Sequence, residues 1–192
     1  VTALDVFAGD GDRISKLYLN NYDVTALDIN KYSLDNYFDL KATKIVGDSI
    51  KLISDFNNEF DLILIDNPVG LFGEYCEHFE LLDNALKALK DEGEIIFNVA
   101  INVNDYRYRW MFKPWTYTYK IIKREINRFE KYYYEKWSTR RLFFYGKKMD
   151  DYTQYWRFYY KYFEDRGYKI ISGNHIKRYP GLYLFSYKLE RN

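Results

Sequence analysis

Four short apolar runs in the first two-thirds of this chain each close on a glycine or an acid. Ala3–Ala8 runs into Gly9-Asp10-Gly11, Val24–Asp28 ends on its own carboxylate, Thr43–Val46 leads to Asp48, and Phe60–Ile65 stops at Asp66-Asn67-Pro68. A fifth run, Glu94–Val99, follows a segment in which Leu81, Leu82, Ala85, Leu86 and Leu89 recur at helical spacing. Strands alternating with helices need right-handed crossovers and a mainly parallel sheet. Such a sheet binds ligands outside the carboxyl ends of its strands. Glycine or acid at four successive ends on that rim therefore marks a site.

The 192 residues are expected to form a single domain with a real core, and 47% apolar content with a net charge of +1 reads as a globular soluble chain. No apolar run approaches a membrane span, and no charged-apolar-small signal segment opens the chain. The sequence starts at Val1, without Met and directly in a strand-like run, so the expectation is that it was trimmed or that an N-terminal piece is absent. One cysteine, Cys76, excludes an internal disulfide framework and suits a reducing cytoplasm. Two histidines far from that cysteine make a structural zinc site unexpected.

The second half changes character. From Arg107 to Lys148 there are 13 Lys and Arg against 3 Glu, a net of +10, so the other residues carry −9 of the total of +1. The same window holds 14 of the 40 aromatic residues. Trp115, Tyr119, Ile122, Ile126, Phe129 and Tyr133 share one helical face, with Lys120, Arg124, Arg128 and Lys131 opposite, which predicts a basic amphipathic helix. A further helix carries Tyr152, Tyr155, Trp156, Tyr159 and Phe163 as its apolar stripe and stops at Gly167. Two strands, Lys169–Ile176 and Leu182–Leu189, close the chain around a Pro180-Gly181 turn.

In "LDVFAGDGDRI" the glycines at 9 and 11 permit a sharp turn and a close approach of backbone to ligand. The third glycine of the dinucleotide fingerprint is missing, and the Asp5 carboxylate would repel a pyrophosphate. A ligand with a cationic amino-acid end suits that pocket better. Asp28 lies seventeen residues after Gly11, where a carboxylate can accept both hydrogens of a ribose diol. Asp48, in "VGDSI", could receive an adenine amino group. Each acid alone also reads as a helix N-cap; together with the glycine turn they read as a nucleoside site.

These residues resemble the class I S-adenosylmethionine-dependent methyltransferases, most closely the amino-directed nucleic-acid enzymes. "DVFAGDG" is similar to their first motif in its Phe-Ala-Gly form, and "FDLILIDNPV" stands where their fourth motif belongs. The resemblance covers the whole chain. It implies a Rossmann-like, doubly wound α/β fold whose seven-stranded sheet has an antiparallel last strand between the fifth and sixth. A basic helical insertion, about residues 101–150, would follow strand five. It implies S-adenosylmethionine as cofactor, with Asp5, Phe7, Ala8, Gly9 and Gly11 around its methionine end. Asp28 would hold the ribose and Asp48 the adenine, Ile29 and Ser49 would also line the cofactor site, and Asp66 would border both cofactor and acceptor.

The fourth motif in amino-directed enzymes reads Asp/Asn/Ser-Pro-Pro-aromatic. Its polar side chain and the next carbonyl accept the hydrogens of an exocyclic amine, steering the nitrogen lone pair toward the methyl group, while the aromatic stacks on a flipped base. This sequence admits two registers. One starts at Asp66, with Asn67 in place of a proline and Val69 in place of the aromatic; the other is Asn67-Pro68-Val69-Gly70. Asp66, Asn67 and Pro68 are the catalytic candidates, with Phe72 or Tyr75 supplying a stacking ring. Cys76 lies eight residues beyond Pro68, too far for a cytosine-C5 nucleophile, and His78 reads as a helix-start or surface residue. Lys120, Arg124, Arg128 and Lys131 would contact phosphates, making DNA or RNA the expected partner. The rivals are methylation of a small molecule or protein, and a non-catalytic cofactor-binding subunit that docks a partner protein through the basic helix.

Overall fold

The computed structural model describes residues 1–11, 13–66, 78–100, 139–149, 151–179 and 182–192. Its seven strands form one sheet in the order β3-β2-β1-β4-β5-β7-β6. They are β1 (Thr2–Val6), β2 (Asp23–Asp28), β3 (Thr43–Val46), β4 (Phe60–Ile65), β5 (Leu89–Ala100), β6 (Tyr168–Tyr179) and β7 (Leu182–Arg191). β1 pairs in parallel with β2 and β4, and β2 with β3 and β4 with β5 likewise. β7 runs antiparallel to both β5 and β6. The expected α/β doubly wound sheet, with its antiparallel strand between the fifth and sixth, is the observed one.

Alternation along each strand sends side chains to two separate cores. Leu4, Val6, Leu27, Ile63, Ile65, Ile95, Phe97 and Tyr187 pack on one face with α4 (Leu82–Ala88), α5 (139–145) and α6 (Tyr152–Glu164). Ala3, Ala26, Leu62, Leu64, Ile96 and Leu184 pack on the other with α1 (Arg13–Leu19) and α2 (Lys31–Asp35). The short α3 (Ser49–Leu52) follows β3.

Several boundaries differ from the sequence reading, and two of the differences have a local cause. β1 stops at Val6 rather than Ala8, because Phe7 adopts a left-handed φ of 62° and turns the chain out of the ladder. Helical spacing from Leu81 to Leu89 predicts a helix through Leu89, yet Leu89 is already extended. Asn58 and Glu59 donate their N–H groups to the carbonyls of Lys87 and Ala88, which ends α4 and lets β5 begin at once.

α6 begins where Asp151 accepts from the Gln154 N–H at 3.0 Å, and Gly167, at φ 80°, stops it as expected. Tyr155, Tyr159 and Phe163 are buried; Tyr162 joins them, while Tyr152 and Trp156 are half-buried. The predicted basic helix, with Lys120, Arg124, Arg128 and Lys131, and the Pro180-Gly181 turn lie outside the described residues.

His78 corrects the reading of a surface histidine. Its carbonyl does start the turn into α4, accepting from Leu81 and Leu82, but its ring is buried. It packs 4.4 Å from Phe97 and 5.8 Å from Phe144, centroid to centroid. Nε2 meets the Tyr159 hydroxyl at 2.5 Å, and that hydroxyl meets Tyr145 at 2.7 Å. Phe79 stacks on Phe144, and Glu80 pairs with Arg140, so α5 is fastened to the turn that starts α4.

Burial pushes the His78 imidazole down to about 3, the Arg141 charge adding to the effect and the Asn98 carbonyl opposing it. The folded state therefore keeps this ring neutral while the unfolded chain protonates it near its ordinary 6.5. Stability attributable to His78 is complete above that value and is lost as pH falls toward 3. Between pH 7 and pH 5 the loss is about 2 kcal/mol. Urea unfolding at the two pH values checks this: His78→Phe should flatten the difference.

Candidate active site at the carboxyl rim

The glycine turn leaves β1 through alternate left-handed residues: Phe7 at φ 62°, Gly9 at 56° and Gly11 at 68°. For the bulky Phe7 this is a strained conformation, of the kind that clusters at functional sites. The turn is fastened on both sides. Ala8 N–H donates to the Leu27 carbonyl at 2.9 Å, and Phe38 N–H donates to that of Asp10 at 3.1 Å.

The two glycines are needed for different reasons. A Cβ on Gly11 would stand 2.3 Å from the Phe38 ring and 2.7 Å from that of Tyr37, so the backbone must pass directly against them. At Gly9 no described atom lies within 4 Å of the corresponding point. Among the described residues nothing bars a ligand from approaching the main chain there.

Asp28 ends β2 and is stitched to this turn. Its Oδ2 accepts the Gly9 N–H at 2.9 Å and its Oδ1 the Asn30 N–H at 2.7 Å. A carboxylate offers about four lone-pair positions, so both oxygens can still accept from a diol. Ile29, next along, is 76% exposed and presents an apolar surface on the same edge.

Asp48 takes the capping geometry that its position after β3 also suggested. Oδ1 accepts the Ile50 N–H at 3.1 Å to start α3, and Oδ2 lies 3.8 Å from Lys51 Nζ. Ser49 beside it is buried, and its hydroxyl has no hydrogen-bond partner among the described residues. Buried polar groups rarely stay unsatisfied without a ligand, water or function to account for them.

Asp5 sits inside β1 on the α1–α2 face, 1% exposed. The Tyr37 hydroxyl donates to it at 2.6 Å. Burial first, and then the Asp5 charge, push the Tyr37 phenol well above its ordinary range, so it remains a donor at any working pH. Asp5 thus supports the turn from a buried position, through Tyr37.

Strand register sets the rest of the row. Val6 pairs with both Leu27 and Ile65, and Ile65 with Phe97. The next residues, Asp28, Phe7, Asp66 and Asn98, therefore follow at one level of the carboxyl rim. Asp66 Oδ1 accepts from Asn98 Nδ2 and from the Arg178 guanidinium, which reaches over from β6. Sequence reading missed three residues here. Asn98 carried a signal, as a polar residue within the apolar run "EIIFNVA". Tyr37 and Arg178 carried none. Asn67, Pro68, Phe72, Tyr75 and Cys76 lie outside the described residues.

No group of three or more His, Cys, Asp and Glu among the described residues could hold a metal ion. No helix among them is long and apolar enough to cross a membrane.

No protein-family model matches the sequence, and no curated protein does. Solved structures match its fold over the whole chain. M. jannaschii TYW2, solved in complex with AdoMet, is 15% identical with a TM-score of 0.54 over 100% of this chain and 69% of its own. The plantazolicin methyltransferase BpumL, solved with a pentazolic desmethylPZN analog and SAH, is 16% identical with a TM-score of 0.61 over 100% and 77%. A Leishmania major SAM-dependent methyltransferase is 17% identical with a TM-score of 0.52 over 98% and 64%.

Replacing Gly11 by Ala combines left-handed strain with overpacking against two rings and should cost about 3 kcal/mol. Gly9→Ala meets the strain alone and should cost about 1–2 kcal/mol. Equilibrium unfolding of both variants in urea measures the difference. With its strand order, its β7 and these neighbours, the chain has the class I S-adenosylmethionine-dependent methyltransferase fold.

Proposed function

We propose that this protein is a methyltransferase that uses S-adenosylmethionine to methylate nucleic acid, at an exocyclic base amine. The observation that carries the reading is the continuous rim from Gly9 through Asp28 and Phe7 to Asp66. It offers the cofactor a close backbone approach, a diol acceptor and, next to them, a carboxylate for the methyl acceptor.

The residues present fit the cofactor. No described atom crowds the Gly9 main chain, Asp28 is held by two amides with lone pairs to spare, and the Ser49 hydroxyl, without a hydrogen-bond partner among the described residues, is buried beside Asp48. Ile29 would cover an adenine face, and Asp48 would accept from its amino group with the lone pairs that its cap leaves. When bound, the cofactor supplies an electrophilic methyl group on a sulfonium. Asp66 would accept a hydrogen of the incoming amine and aim its lone pair at that methyl group, and Asn67 and Pro68 keep the roles their sequence positions imply. Orientation of this kind accelerates transfer by proximity more than by acid-base chemistry.

Nucleic acid as acceptor rests on the +10 window from Arg107 to Lys148 and its interleaved rings. Cations would bind phosphates while Phe72 or Tyr75 stacks on the base. A second reading, methylation of a small molecule or peptide, draws on the neighbour solved with a plantazolicin analog.

Tritium transfer from labelled S-adenosylmethionine to DNA, RNA and protein pools separates these readings. Label should enter nucleic acid, and Asp28→Ala should weaken cofactor binding about 10- to 100-fold by calorimetry. Label in protein alone, or in no pool, overturns the nucleic-acid reading.

A further inference from the structure

Arg178 belongs to none of the motifs, yet it makes one of the most enclosed ion pairs at the rim. Its partner Asp66 is 112 residues away in sequence. The two side chains are 17% and 9% exposed. β5 and β7 lie between their strands, so the guanidinium must reach inward across the sheet.

The backbone of β6 makes that reach possible. Register along β6 and β7 passes from Lys177↔Tyr183 to Tyr179↔Leu182, so Arg178 is the extra residue of a β-bulge. A bulge bends its strand and re-aims a side chain, and bulges are over-represented next to active sites.

Burying a carboxylate this far is costly unless a charge and hydrogen bonds compensate it. Arg178 supplies the charge. The Asn98 amide donates to the same oxygen, Oδ1, so two donors from two strands converge on it. Convergent donors fix the carboxylate plane as well as its charge.

We infer that Arg178 is a positioning residue for methyl transfer: the β6 bulge delivers its guanidinium to Asp66, holding that carboxylate charged and in one orientation toward the acceptor. This rests on Asp66 being the acceptor-orienting group. Arg178 acts through Asp66 and not on the cofactor, whose side of the rim begins at Gly9 and Asp28.

The test compares Arg178→Gln, Arg178→Lys, Asp66→Asn and the double variant Asp66→Asn/Arg178→Gln, with labelled transfer to RNA, DNA and protein pools. Arg178→Gln should lower kcat about 10- to 100-fold. Its affinity for S-adenosylmethionine by calorimetry should stay within about threefold of the parent, which also reports that it is folded. Arg178→Lys keeps the charge and should recover part of kcat. The double variant should be no slower than Asp66→Asn alone, within about twofold, because both changes remove one unit.

Additive losses, undiminished transfer by Arg178→Gln, or loss of cofactor binding in both Arg178 variants would overturn the inference. The last result would leave a simple clip between strands. Label entering protein instead of nucleic acid overturns the acceptor class alone, and the Arg178 comparison is then read on that pool. Label entering none overturns both.

Discussion

A parallel strand covered by helices on both faces can carry polar chemistry only at its ends or against a built partner. β1 and β4 meet this constraint throughout, with Ala3, Leu4, Val6, Ile63, Leu64 and Ile65 at 0–1% exposure. The single acid inside β1, Asp5, is accommodated by the Tyr37 hydroxyl arriving from beyond α2. Tyr37 in turn lies against Gly11, so the support of the buried acid and the shape of the ligand turn are one piece of packing. In β4 the one acid, Asp61, stands next to the strand start, and Glu94 within β5 accepts from the Ser186 hydroxyl of β7.

The two rims differ in what they do with those acids. At the amino rim Asp61 Oδ2 takes the Thr2 N–H at 2.7 Å and the Lys90 ammonium at 2.9 Å, tying β1, β4 and β5 together. The Lys90 hydrogen bond, with those from Thr2, brings the Asp61 carboxyl down to about 2 against the cost of burial. These are local fasteners near the strand starts. At the carboxyl rim Asp28 is held by backbone amides that leave lone pairs over, and Asp66 is held by side chains from two other strands. A carboxylate fixed with acceptor capacity in reserve is suited to receive a ligand.

The aromatic abundance divides along the same lines. Phe97, Tyr155, Tyr159, Phe163, Phe185 and Tyr187 are all fully buried; the Tyr159 hydroxyl bonds to His78 and Tyr145, that of Tyr155 accepts from Arg141, and that of Tyr187 has no hydrogen-bond partner among the described residues. Much of the aromatic content described therefore builds the core over β5 and β7. Phe143, 91% exposed on α5 beside the buried Arg141, is an exception within the basic window.

What the sequence determined was whatever short-range chemistry controls. Alternating apolar runs set the strands to within a few residues, Gly167 stopped α6, and the glycine turn with Asp28, Asp48 and Asp66 marked the rim. It also gave both readings of Asp48, and the cap proved to be the one its backbone adopts. Tertiary structure decided the rest, because the energies involved arise only when distant strands meet. The left-handed Phe7 is held by the packing around it, His78 became a core residue once α5 and α6 closed over it, and Asp5 found Tyr37 across β2. Nothing near Asp66 in the chain points to Arg178; the pair exists because strand order and one extra residue in β6 bring a buried charge and its counter-charge to the same place.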